Sequence, residues 1–331
     1  MFNKLSIANF EIENRSARAA TATGNCDKLT GIPDQQFYDI YESLSRGHVG
    51  FVIFEHAFVS LRGKADHNQL GIHDDTMTQY HAKVNRIMRA ANDKIRTCCQ
   101  LAHAGAACSV ENKIDLNSAS VQELQEVVQQ YTNAAIRAKN AGYDCIQIHA
   151  SNPFLLGQSI SPQHNSRTDS YNAQDFKLLR QVLESVSGIL PVGVKIQCDG
   201  LSAENTSVSF KLLNEFKFHF VEITGSNQIA PVRTKVDLNG DQYYNQKVIK
   251  KLKQMHFNQP IIITGGFQTV EGANIALNDG ADMVGFSRKF LRNDKFLIDG
   301  DQLECKKCNQ CFKNLFDYKE SCCVSKQAKI I

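Results

Sequence analysis

Short apolar runs rich in β-branched residues alternate with longer amphipathic segments along almost the whole chain. The runs "GFVIFE" (50–55), "IRTCCQLA" (95–102), "YDCIQIHA" (143–150), "VGVKIQ" (192–197), "FVEITG" (220–225), "PIIITGG" (260–266) and "DMVGFS" (282–287) have the length and composition of buried strands. Between them, segments 35–46, 76–93, 121–140, 173–187, 204–216, 243–255 and 268–278 repeat apolar residues every three or four positions, the period of a helix with one buried face. Counting "SARAAT" (16–21) as a first strand gives eight strand–helix units. Strands separated by helices pair in parallel, because only a long crossover returns the chain to the same end of a sheet. Eight units predict an α/β fold, a closed (β/α)8 TIM barrel. An open doubly wound sheet is the competing arrangement, but no GxGxxG follows an early strand.

A barrel of this size needs one large core, and 42% hydrophobic with 21% charged residues is ordinary for a globular chain. Lys and Arg number 37 against 34 Asp and Glu, without a basic block, so nothing points to nucleic acid. The N-terminal "MFNKLSIANF" has no secretory apolar core, and the longest apolar run, "VGFVIF", is far short of the roughly 18 residues of a membrane span. The expectation is a soluble, cytoplasmic protein with no membrane partner. The barrel is expected over 1–300, followed by a cysteine-rich extension over 301–331.

In a parallel barrel the chemistry collects where strands end. Those ends carry Glu55–His56–Ala57, Gln100 to His103, His149 to Asn152, Lys195 to Gln197, Thr224 to Ser226, Gly265–Gly266 and Ser287–Arg288. Gly265 and Gly266 let backbone N–H groups approach an anion, and Arg288 beside Ser287 can grip phosphate oxygens in a bidentate way. A tight turn and a surface ion pair would explain either feature alone; together, after the seventh and eighth strands, they favour a phosphate site. Lys195 reads in two ways: a desolvated amine that forms a Schiff base, or an ammonium that stabilises negative charge on a cofactor. His149 and Asn152 are three residues apart at one strand end and can both donate to one oxygen, although a core histidine and a turn asparagine before Pro153 are the plainer reading.

Taken together, "NRSARAAT", "YESLSRGHVGFVIFEHAFV", "QLAHAG", "IHASN", "SPQHNSRTDSY", "VGVK", "ITGGF" and "GADMVGFSR" resemble, in order, the motifs of the old yellow enzyme family of FMN-dependent oxidoreductases. The resemblance implies FMN across the barrel mouth. Ala20, Thr21 and Ala57 would line its ring, Gln100 would hydrogen-bond its pyrimidine edge, and Lys195 would lie near N1 and O2. Gly265, Gly266, Ser287 and Arg288 would hold its phosphate, and His149 and Asn152 would bind the acceptor oxygen. The implied activity passes hydride from NAD(P)H through the flavin to a small electron-poor acceptor, a quinone or an activated alkene, in ping-pong order. A non-flavin lyase or aldolase using Lys195 and a catalytically degenerate flavin-binding barrel remain as alternatives.

Phe154 departs from the family pattern, which has at this place a tyrosine that protonates the substrate carbon. A phenyl ring cannot donate a proton, so alkene reduction is expected to be weakened unless water or Tyr171 substitutes. Ser287 stands where relatives often have Gly, Ala106 where they often have Arg, and a redox-tuning cysteine of some relatives falls at Ala22, leaving Cys26 as a loop thiol.

The segment "CKKCNQCFKNLFDYKESCC" gathers Cys305, Cys308, Cys311, Cys322 and Cys323. Its spacing suits an Fe–S cluster or Zn, with Cys305, Cys308, Cys311 and Cys322 as candidate ligands. It resembles the cluster segment of longer 2,4-dienoyl-CoA reductase-type members, with one residue fewer between Cys308 and Cys311. A reduced-cysteine tail without metal is the alternative. A further oligomeric partner is left open by the sequence.

Overall fold

The computed structural model describes residues 1–300 except 66–67, 109, 152, 199–202 and 226–242, and the side chains of 203–207 are not described. The chain begins with an antiparallel hairpin, β1 (Leu5–Ile7) and β2 (Phe10–Ile12), whose turn holds Ala8 at φ 52°. The remaining strands are β3 (Ser16–Arg18), β4 (Phe51–Ile53), β5 (Ala57–Phe58), β6 (Arg96–Ala102), β7 (Cys145–Ala150), β8 (Val192–Gln197), β9 (Phe220–Thr224), β10 (Ile261–Thr264) and β11 (Met283–Phe286). They pair in parallel in the order β4-β3-β11-β10-β9-β8-β7-β6, and β4 also pairs with β6, which closes an eight-stranded TIM barrel.

Every expected strand lies within its apolar run, and a short strand that was not expected, β5, follows the second run. After Ile53 the backbone turns aside: the Glu55 N–H donates to the Tyr41 hydroxyl, and the Glu55 carboxylate accepts from the Thr23 N–H and hydroxyl. The chain then resumes pairing with β6 through β5, with Ala57 opposite Leu101.

The long helices are α1 (Gln35–Arg46), α2 (Met77–Ala91), α3 (Val121–Asn140), α5 (Lys177–Val186), α6 (Ala203–Glu215), α7 (Gln246–Gln254) and α8 (Val270–Asp279); α4 (Leu155–Ser159), α9 (Arg288–Arg292) and α10 (Phe296–Asp299) are short. Local chemistry sets several starts. The Asp34 carboxylate accepts from the Phe37 N–H ahead of α1, and Ser120 with Glu123 forms a reciprocal capping box ahead of α3. The helix expected over 173–187, α5, begins only at Lys177 because Phe176 adopts φ 51° and breaks the helical path.

Side chains alternate across the sheet. On β7, Ile146, Ile148 and Ala150 join the large core under the helices, while Cys145, Gln147 and His149 face the barrel interior. The interior has an apolar floor made of Ile7, Ile12, Ala17, Phe51, Ile53, Cys98, Cys145, Phe220, Ile262 and Met283. The hairpin supplies two of these, so it closes the N-terminal end of the barrel. Arg96 fastens it from outside by donating to the Glu11 carbonyl at 2.9 Å. Gly193 is forced by this floor, since a Cβ there would lie 2.1 Å from the Phe220 ring.

Candidate functional site

Above the floor the interior turns polar. The Gln100 amide N–H donates to the Gln147 carbonyl oxygen, and Gln147 Nε2 donates to Glu222 Oε2 at 2.9 Å. Lys195 Nζ lies 3.0 Å from Glu222 Oε1, an ion pair whose angle is too poor for a hydrogen bond. Gln147 and Glu222 were not singled out from the sequence. The available signal was a polar residue at an alternate position of an otherwise apolar strand, "CIQIHA" and "FVEIT".

His149 stands above this layer, opposite Lys195 in the strand register, and is buried. Burial, and then the charges of His56 and Lys195, hold its pKa well below the ordinary histidine range, so the imidazole is neutral near pH 7. Its Nδ1 is buried without a hydrogen-bond partner among the described residues. Phe154, the residue just before α4, lies against it with ring centroids 4.4 Å apart. His56 meets the same phenyl edge-on at 5.2 Å and sits 6.1 Å from His149, so three rings form one wall of the mouth. Asn152 lies outside the described residues. Tyr171 does not reach this wall: its hydroxyl donates to Gln181 and its ring is buried.

Other predicted residues take their expected strand ends. Ala20 and Thr21 follow β3 and are half-buried, with the Thr21 hydroxyl donating to the Ala19 carbonyl at 2.8 Å. Ala57 is fully buried in β5, and Gln100 is buried in β6. Gly265 and Gly266 follow β10 at φ 135° and 86°, conformations that only glycine takes readily. The Tyr244 ring lies against both: a Cβ would come within 2.9 Å at Gly265 and 3.0 Å at Gly266. Half-buried Ser287 and Arg288 follow β11, and the Ser287 carbonyl accepts from Arg18 Nη1. The buried Thr264 hydroxyl just before the glycines has no hydrogen-bond partner among the described residues.

The motif "SPQHNSRTDSY" has a structural part to play. Arg167 Nη1 donates to the Leu116 and Ala119 carbonyls at 2.8 and 2.6 Å, and its guanidinium holds the Asp169 carboxyl down to about 2. Asn165 Nδ2 bridges the Ser159 and Tyr171 carbonyls. These bonds tie down the loop between α4 and α5. Cys26 is buried beside a bridge to Pro33, as a loop thiol, and the Ala106 carbonyl accepts from Lys113. No group of metal-ligating side chains occurs among the described residues, and Cys305, Cys308, Cys311, Cys322 and Cys323 lie outside them.

The model of the NADH:flavin oxidoreductase / NADH oxidase family matches residues 1–300. The chain belongs to this family. It is therefore an FMN-dependent NAD(P)H oxidoreductase of the old yellow enzyme type. Among curated relatives it is similar to the NADPH dehydrogenases of Bacillus pumilus (strain SAFR-032), 27% identical over 77% of this chain and 80% of the relative, and of Bacillus cytotoxicus, 26% identical over 89% and 90%. The fold matches an old yellow enzyme homologue from Zymomonas mobilis with TM-score 0.75 at 20% identity, covering 91% of this chain and 93% of that one. Morphinone reductase in complex with tetrahydroNAD gives TM-score 0.75 at 19% identity, covering 91% of each chain. A 2-naphthoyl-CoA reductase complex gives TM-score 0.84 at 17% identity over 96% of this chain, which spans about half, 55%, of that longer chain.

The residues present suit the family's cofactor. A glycine turn that Tyr244 crowds against any Cβ, an arginine after the next strand, and buried atoms of Thr264 and His149 without a partner among the described residues all lie at or next to the C-terminal ends of barrel strands. Among the described residues no helix is long and apolar enough to cross a membrane.

Proposed function

We propose that this enzyme passes reducing equivalents from NAD(P)H to a small electron-poor acceptor, a quinone, and that α,β-unsaturated carbonyl compounds, the activated alkenes, are its poorer acceptors. FMN, when bound, supplies the hydride transfer. The chain supplies the rest. The turn at Gly265 and Gly266, with Ser287 and Arg288, would hold the cofactor phosphate; Gln100 and Lys195 would engage the pyrimidine edge; Ala20, Thr21 and Ala57 would flank the ring. His149, neutral and buried, can donate one N–H to an acceptor oxygen and polarise it without introducing a full charge, and Asn152 is the proposed second donor.

The observation that carries the acceptor preference is Phe154 packed on His149 at 4.4 Å. The phenyl lines the wall where a proton would have to reach the substrate carbon, and it has none to give. Quinones are protonated on oxygen and need no such donor. For the C-terminal segment we propose the metal or cluster site suggested by Cys305, Cys308, Cys311 and Cys322, which iron, sulfide and zinc analysis of anaerobically purified protein would test.

An anaerobic titration tests the main reading. Purified protein should be yellow, bleach with NADPH or NADH, and recolour faster with a quinone than with an enone. A colourless protein trapped by borohydride at Lys195 would overturn it in favour of an aldolase.

A further inference from the structure

Four neighbouring strands place one connected set of polar side chains inside the barrel: Gln100 on β6, Gln147 on β7, Lys195 on β8 and Glu222 on β9. All the donors run one way. Gln100 donates to Gln147, Gln147 donates to Glu222 Oε2, and the Lys195 ammonium faces Glu222 Oε1 at 3.0 Å. Glu222 and Gln147 are fully buried, at 0% exposure, so neither can exchange these partners for water. Lys195 lies opposite Glu222, and Gln147 lies opposite Gly193, whose missing side chain makes room for the Phe220 ring of the floor below the ladder.

The direction of this chain follows from its terminus. A buried carboxylate must be met by donors or a cation. Gln147 therefore turns its N–H groups toward Glu222 and its carbonyl toward Gln100. Gln100 in turn gives its N–H to Gln147, which leaves its carbonyl oxygen outside the ladder, available to accept from a ring imide. The same carboxylate holds the Lys195 chain in one place. We propose that Glu222 is a positioning residue of the flavin site, fixing both the amide orientation of Gln100 and the placement of Lys195 for bound FMN. This rests on the FMN reading above, in which Gln100 and Lys195 touch the cofactor and Glu222 acts only through them.

The ionisable groups facing the pair are His149 on β7, neutral near pH 7, and the Cys98 thiol on β6, which burial, then Cys145 and Cys99, with Glu222 a smaller contributor, keep protonated. His56 lies beyond His149. Among the described residues, none of these supplies a second anion to Lys195. Without Glu222 the buried Lys195 ammonium would lose the carboxylate 3.0 Å away that holds it in place.

The test is release of FMN from the holoenzyme, followed by flavin fluorescence. Glu222→Gln should weaken binding by roughly tenfold or more, and by less in a Lys195→Met background, because part of its effect runs through Lys195. Gln147→Leu, which cuts the ladder but spares the ion pair, should weaken binding equally in both backgrounds. The proposal is overturned if Glu222→Gln retains the wild-type affinity or costs the same in both backgrounds, or, should that variant fail to fold, if Gln147→Leu binds FMN as wild type does. A wild type that binds no FMN overturns the cofactor reading and this proposal with it, whereas a wild type that binds while its variants match it overturns the proposal alone.

Discussion

Phe154 has clear chemical consequences at the scale of a single residue. It packs on His149 and takes the edge of His56, so a hydroxyl added at its para position would project from a wall already built of two imidazoles. Phe154→Tyr is expected to speed oxidation of the reduced enzyme by an enone by roughly tenfold or more, the lower reach of general-acid catalysis, while leaving the quinone reaction and reduction by NAD(P)H nearly unchanged. Anaerobic stopped-flow traces with the two acceptors would show this; fast enone reduction in wild type, unaltered by the substitution, would contradict it. The departure was legible in the sequence because it is a change of residue type within a recognisable motif. The wall around it was not, since His56 and His149 are 93 positions apart and meet only when β4 and β7 are placed in the barrel.

The turn after β10 is the element on which cofactor retention is expected to depend. Gly266 combines φ 86° with Tyr244 ring atoms 3.0 and 3.1 Å from where a Cβ would stand. Gly266→Ala therefore has to strain the backbone and displace Tyr244, moving the N–H groups of the turn. It should raise the FMN dissociation constant by roughly tenfold, a loss of about 1.4 kcal/mol, measured by flavin fluorescence. Gly188→Ala is the matched control: its φ of 80° carries similar strain, but a Cβ there meets nothing within 4 Å. The strands and long helices were readable from periodicity because each buries a regular face. The hairpin, α4, α9 and α10 were not, as elements of three to five residues are too short to show a period. Glu222 and Gln147 were visible as polar interruptions of strands, but which face of the sheet they occupy depends on register, and register is a tertiary property.

At the scale of the whole molecule, the protein encloses several imidazoles in their neutral form. Desolvation lowers His81 to about 4 and His103 to about 3, and His149 is depressed as well. The unfolded chain takes up these protons below about pH 6.5, whereas the folded chain refuses them until its lower values are reached. Stability is thus complete above about pH 6.5 and falls as pH drops toward the folded values. His81 alone should cost roughly 2 kcal/mol between about pH 6.5 and 5. Urea midpoints at those two pH values would measure it. His81→Gln, which can still contact the Tyr143 hydroxyl and the Gly71 carbonyl, should flatten the slope. The hairpin across the barrel floor has a different consequence. With Ile7 and Ile12 seated among Phe51, Phe220 and Met283, the described residues stopper that end of the vessel. On the proposed function, reductant and acceptor would then come in by the other end and take turns there, and a molecule lodged in it would be expected to exclude both.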